Sequence, residues 1–125
     1  MTKNENLKYM ITNVFELAAS VLESAELRQN DSEFAQHEIK ETLSNRFSAY
    51  AMIKDNPLAD DVLETLMIGL EKDGDKDGID PEDYLNDSLE IFTSTNRSEV
   101  YTHANLIMDT FSAYINLGRT PGYYN

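Results

Sequence analysis

Cysteine and tryptophan are absent from this chain, and proline and glycine are scarce, at three and five of 125 residues. Without cysteine there is no disulfide, thiolate metal site or cysteine nucleophile. The five glycines are scattered at turns and at the ends of apolar stripes, so they form no phosphate-cradling loop, dinucleotide fingerprint or nucleophile elbow. Cations are also few, with ten Lys and Arg against 23 Asp and Glu, a net charge of −13. That balance argues against a direct grip on nucleic acid, because phosphate binding depends on Lys and Arg displacing counterions. Anionic membrane surfaces are disfavoured by the same repulsion. No run approaches the roughly 18 apolar residues of a membrane span. The opening Met1-Thr-Lys-Asn-Glu-Asn6 leads into a stretch broken by Asn13 and Glu16, unlike the apolar core of a secretion signal, and the cytoplasm is the expected location.

What is present suffices for one core: 41% of residues are apolar and twelve are aromatic. Leu7, Met10, Ile11, Val14, Phe15, Ala18, Val21, Leu22 and Ala25 recur three and four apart, predicting a helix over about 5–26. A second helix is expected from Asn30, which has Glu33 at capping-box spacing, through Ala35, Ile39, Leu43, Phe47, Tyr50 and Ala51. Asp55-Asn56-Pro57 ends it, and Pro57 suits the first position of a third helix with Leu58, Val62, Leu63, Leu66, Met67 and Leu70 inward. Gly74 and Gly78 are expected to stop that helix. Asp80-Pro81-Glu82-Asp83 starts a fourth, carrying Leu85, Leu89 and Phe92, and Asn96 with Glu99 starts a fifth, running through Val100, Ala104, Ile107, Met108, Phe111, Tyr114 and Ile115 to Gly118. The predicted fold is therefore an all-α, single-domain bundle of about five helices over 1–118, with a non-helical tail over 119–125. The tail's two tyrosines are expected to pack on the bundle.

Charge is concentrated in one place. Between Asp60 and Glu90 lie twelve carboxylates and two lysines. Asp60, Asp61, Glu64, Glu71, Asp73, Asp75, Asp77, Glu82, Asp83, Asp87 and Glu90 are the candidate partner-binding residues, since a dense negative surface attracts basic partners and speeds encounter with them. The plainer reading of such a face is solubility alone.

Within that segment, Asp73, Asp75, Asp77 and Gly78 resemble the opening of an EF-hand calcium loop set between two helices. Calcium is therefore the alternative ligand, with Asp73, Asp75, Asp77, the backbone carbonyl near Ile79 and Asp83 as ligands. The pattern departs from the family after the glycine: a twelve-residue loop places Asp80 at its apolar position and Tyr84 where a bidentate glutamate should close it. An eleven-residue loop closing on Asp83 mends this and disturbs the phase of the flanking helices. The competing reading is a solvated turn, which leaves the chain with no cofactor.

Two histidines each follow a glutamate by four residues, in Glu33/His37 and Glu99/His103. A di-iron bundle needs Glu-x-x-His, one residue shorter, and His37-Glu38 lacks the second histidine of a zinc-protease helix. Helix-surface or capping roles are expected for both, and the chain is not expected to be an enzyme.

Short, acidic, cysteine-free helical chains resemble two groups of inhibitors. Asn13-Val-Phe-Glu-Leu-Ala18 followed by Leu22 looks like the start of a family of phage anti-restriction proteins that imitate DNA. Asp60-Asp-Val-Leu63 and Gly118-Arg-Thr-Pro-Gly-Tyr123 are similar to stretches of the nuclease immunity proteins. Each resemblance spans about ten residues and carries no functional residue over. Both imply an acidic surface that occupies the basic groove of a nucleic-acid enzyme.

Overall fold

The computed structural model describes residues 2–29, 36–54 and 56–118, with no account of the side chains of Gln29 and Gln36. Six helices and no strand are found among these residues: α1 Lys3–Gln29, α2 Gln36–Arg46, α3 Ser48–Ile53, α4 Asp60–Asp77, α5 Pro81–Phe92 and α6 Arg97–Gly118. The all-α, single-domain expectation holds. The long helices α1 and α6 pack on each other, and both also contact α4 and α5; α3 lies on α6, and α2 on α3 and α1. The predicted stripes make the core, with Leu7, Ile11, Val14 and Leu22 of α1 meeting Ile107, Met108 and Phe111 of α6 in full burial. Burying side chains of this size contributes about 1.5–3 kcal/mol each, which is why the apolar period dictates how each helix is rolled.

Three expectations need correction. The second predicted helix is two. At Phe47 the backbone turns extended (φ −124°, ψ 117°), ending α2 and opening α3. Phe47 has no side-chain acceptor for the new helix, and Ser112 of α6 supplies one, its Oγ accepting from Ala49 N–H at 2.9 Å. The break changes the helical phase, so Ala49 and Ile53 are buried and Ala51 is exposed. Next, the helix expected from Pro57 starts at Asp60, because Pro57 and Leu58 form a turn in which Leu58 takes a left-handed backbone (φ 53°). Finally, α4 runs through Gly74 and stops only at Gly78, whose left-handed φ of 73° lets Ile79 N–H reach back to Gly74 O at 2.9 Å.

The starts of α5 and α6 follow expectation. Asp80 caps α5 by accepting from Glu82 N–H at 2.9 Å ahead of Pro81, and Asn96 caps α6 by accepting from Glu99 N–H at 3.2 Å. Asn96 N–H itself donates to Ser94 Oγ rather than to a glutamate. The expected cap at Asn30, its partner Glu33, Ala35, Asp55 and the tail over 119–125 lie outside the described residues.

Candidate functional site

Helical geometry sorts the acidic residues of α4 into two sets. At 100° per residue, Asp60, Glu64, Glu71 and Asp75 fall within an arc of about 60°, forming an outward row about 22 Å long. Asp61 stands beside the row. On α5, Asp83, Asp87 and Glu90 form a second exposed row of similar width. Glu82 is half-buried in the first turn, where negative charge favours the helix. Lys8 of α1 approaches the start of the first row, 4.0 Å from Asp60 and 3.7 Å from Glu64. Both partners reach well into water, so these pairs hold little energy but offset charge at that end. Further along the row, Glu71 and Asp75 each stand next to a lysine of α4, Lys72 and Lys76.

Asp73 and Asp77, expected on the same binding face, point elsewhere. They lie one turn apart, both still exposed, and line a cavity of about 260 Å³ at the corner between α4, α5 and α6. Gly69, one turn before Asp73, permits this corner. A Cβ at Gly69 would lie within 2.6 Å of Tyr114 Cδ1, so only glycine lets the Tyr114 ring of α6 rest against α4. Tyr114 is 6% exposed, and its hydroxyl donates to Asp73 Oδ2 at 2.7 Å. Across the cavity, burial raises the Tyr84 hydroxyl pKa, against a hydrogen bond with Thr110 that lowers it and with the Asp73 charge raising it further. Ile79 and Leu106 stand at the rim, 48% and 53% exposed.

The calcium reading expects a loop from Asp73 to Asp83, whereas the backbone is helical through Asp77. Asp73, Asp75 and Asp77 are all helical, with Asp75 about 200° around the axis from Asp73, so Asp75 diverges from the other two. Asp83 sits in the first turn of α5, and Ile79 lies in the link between the helices. Among the described residues no group of three or more His, Asp or Glu side chains is gathered as a metal ion would require.

A second groove lies between the later turns of α1 and the link from α5 into α6, with a volume of about 840 Å³. Ser20, Ser24 and Arg28 face it from α1, Ser94 and Thr95 from the link, and Arg97 from α6, over apolar walls that include Val21 and Phe92. Among the described residues no carboxylate lines it. The α1 acids nearby are directed to other partners, Glu23 accepting from the Tyr50 hydroxyl and Glu26 lying 3.6 Å from Arg46.

Of the two histidines, His37 is exposed on α2. His103 rests edge-on against Phe92, with ring centroids 5.2 Å apart, and its buried Nε2 has no hydrogen-bond partner among the described residues. Burial lowers its pKa, opposed by the charge of Glu99 one turn earlier.

Sequence reasoning missed Gly69, Tyr84, Leu106, Thr110 and Tyr114 as parts of a site. Two weak clues existed: Ile79 is apolar inside an acidic run, and Leu106 is a large apolar residue lying off the buried stripe of α6. Comparison with known proteins adds no assignment, as no family model, curated protein or solved structure matches the chain.

Proposed function

We propose that this chain is a small acidic inhibitor that binds a protein, occupying a basic surface on which a nucleic-acid-handling partner normally holds phosphates. The observation carrying this reading is the segregation of seven carboxylates into two outward rows, on α4 and α5. A rigid helix presents such a row without ordering cost at binding, and its charge steers encounter with a basic groove. One strand of duplex DNA carries a charge every 3.4 Å or so along its axis. The α4 row is sparser, with four charges in about 22 Å, so shape and neighbouring contacts must add to the electrostatic attraction. The reading assigns the chain no catalysis and no metal.

The test is competitive capture. Immobilised wild-type chain and a Glu64→Gln/Glu71→Gln/Asp75→Asn variant are exposed to lysate rich in nucleases and polymerases. A partner should be retained by the wild type, released by salt or duplex DNA, and retained several-fold less by the variant. Retention indifferent to salt, DNA and substitution would refute the reading.

A further inference from the structure

The corner cavity has a composition that neither acidic row shares. Its floor is Tyr114 and the Asp73 carboxylate that Tyr114 holds in place, Asp77 lies one turn further along, and the rim is the exposed aliphatic pair Ile79 and Leu106. At about 260 Å³ it falls just below the 300–1,000 Å³ of pockets for drug-sized ligands and suits one long side chain. We infer that this pocket receives a lysine or arginine side chain of the basic partner, the stem between Ile79 and Leu106 and the cation against Asp73 and Asp77. The identity of the occupant rests on the recognition reading above; the preference for an aliphatic cation rests on the pocket.

Charge complementarity selects the occupant. An anion would face two carboxylates, and a purely apolar chain would displace water from their pocket side while offering Asp77 no donor and Asp73 none beyond the Tyr114 hydroxyl. An aliphatic stem ending in a cation satisfies rim and floor together, as long basic side chains do when the stem lies on apolar surface and the head meets a polar partner. The same geometry gives the acidic face a fixed register: the rows attract many basic surfaces, whereas a pocket accepts a partner that places one basic side chain at the corner between α4 and α5. Anchors of this kind commonly dominate interface energy.

The test is a nuclear magnetic resonance titration of the full chain with N-acetyl-lysine methylamide, using N-acetyl-norleucine methylamide as the neutral control. The lysine probe should saturate, with shifts centred on the amides of Gly74, Ile79, Leu106 and Thr110, and bind at least tenfold more tightly than the norleucine probe. Asp73→Asn/Asp77→Asn should abolish saturation while keeping an acceptor for Tyr114, and Glu5→Gln/Glu38→Gln, with the same change in net charge, should alter affinity less than twofold. Equal binding of the two probes, or shifts spread along both acidic rows, would overturn the pocket. Binding seen only in Arg119→Gln would assign it to the chain's own tail and overturn a partner side chain as occupant. A decalysine peptide separates the two readings. Binding weakened by the α4-row variant and unchanged by the pocket variant would overturn the pocket and leave the recognition reading standing, whereas no decalysine binding even at low salt would overturn the recognition reading itself.

Discussion

The corner between α4, α5 and α6 and the groove beside the start of α6 are two recesses of one bundle with opposite chemistry. The corner holds Asp73 and Asp77 beside two tyrosines; the groove holds Arg28 and Arg97 among hydroxyls, with no carboxylate among the described residues. They also differ in how they are made. At the corner the helices approach closely enough that Gly69 has no room for a Cβ, and a buried tyrosine is tied to a carboxylate. The groove is a seam between helix surfaces, faced by exposed side chains such as Ser20, Ser24 and Arg28. A net charge of −13 therefore says little about local chemistry, because helical phase sends acids to some faces and keeps them off others.

If the corner is the rigid recess, Gly69→Val should be the most damaging change, forcing apart α4 and Tyr114 at a cost of about 3 kcal/mol in chemical denaturation. A loss below about 0.5 kcal/mol would show that Tyr114 shifts freely, and the contrast with the groove would fail. Gly78→Ala should cost about 1–2 kcal/mol, because nothing crowds a Cβ there and only the left-handed backbone resists it. Removing the hydroxyl in Tyr114→Phe should cost about 1 kcal/mol, the net worth of a hydrogen bond whose carboxylate partner still reaches water.

A subtler difference concerns protons. The folded pKa of His103 is lowered by burial, so the unfolded state takes up its proton first as pH falls. The stability tied to a neutral His103 is full above its unfolded pKa of about 6.5 and is lost as pH falls from there toward the folded value. Melting profiles of the wild type and His103→Phe should therefore diverge below pH 6.5 in the variant's favour. Parallel profiles from pH 7.5 to 5 would show that Nε2 accepts its proton without penalty. The smallest effects belong to the groove, where Ser20→Ala and Ser24→Ala should each leave stability within about 0.5 kcal/mol, as expected of exposed side chains. A larger loss at either would make the groove as organised as the corner.

The apolar stripes of α1, α4, α5 and α6 were legible because burying Leu, Ile and Phe at helical spacing overwhelms other preferences. The starts at Asp80 and Asn96 were legible because capping joins residues two or three apart. The acidic segment was found, but its division was not: Asp73 and Asp77 look like Asp75 in sequence, and only continuation of α4 past Gly74 keeps Asp77 in phase with Asp73 at the corner and Asp75 away from it. Gly74 reads as a stop, yet the helix persists there and ends at Gly78, where a left-handed residue closes the turn. Phe47 carries no break signal at all. Its extended backbone is accommodated by packing of its ring in the core and by Ser112, 63 residues away from the amide it receives.

The helical class, the faces that form the core and the place where negative charge gathers are already written in the residue order, because these depend on period, capping and composition along a few turns. The split of α2 from α3, the fit of Gly69 to Tyr114 and the pairing of Tyr114 with Asp73 arise only in the packed bundle. Each of these joins residues distant in sequence, and its energy exists only once two helices are held against each other at a particular separation and roll.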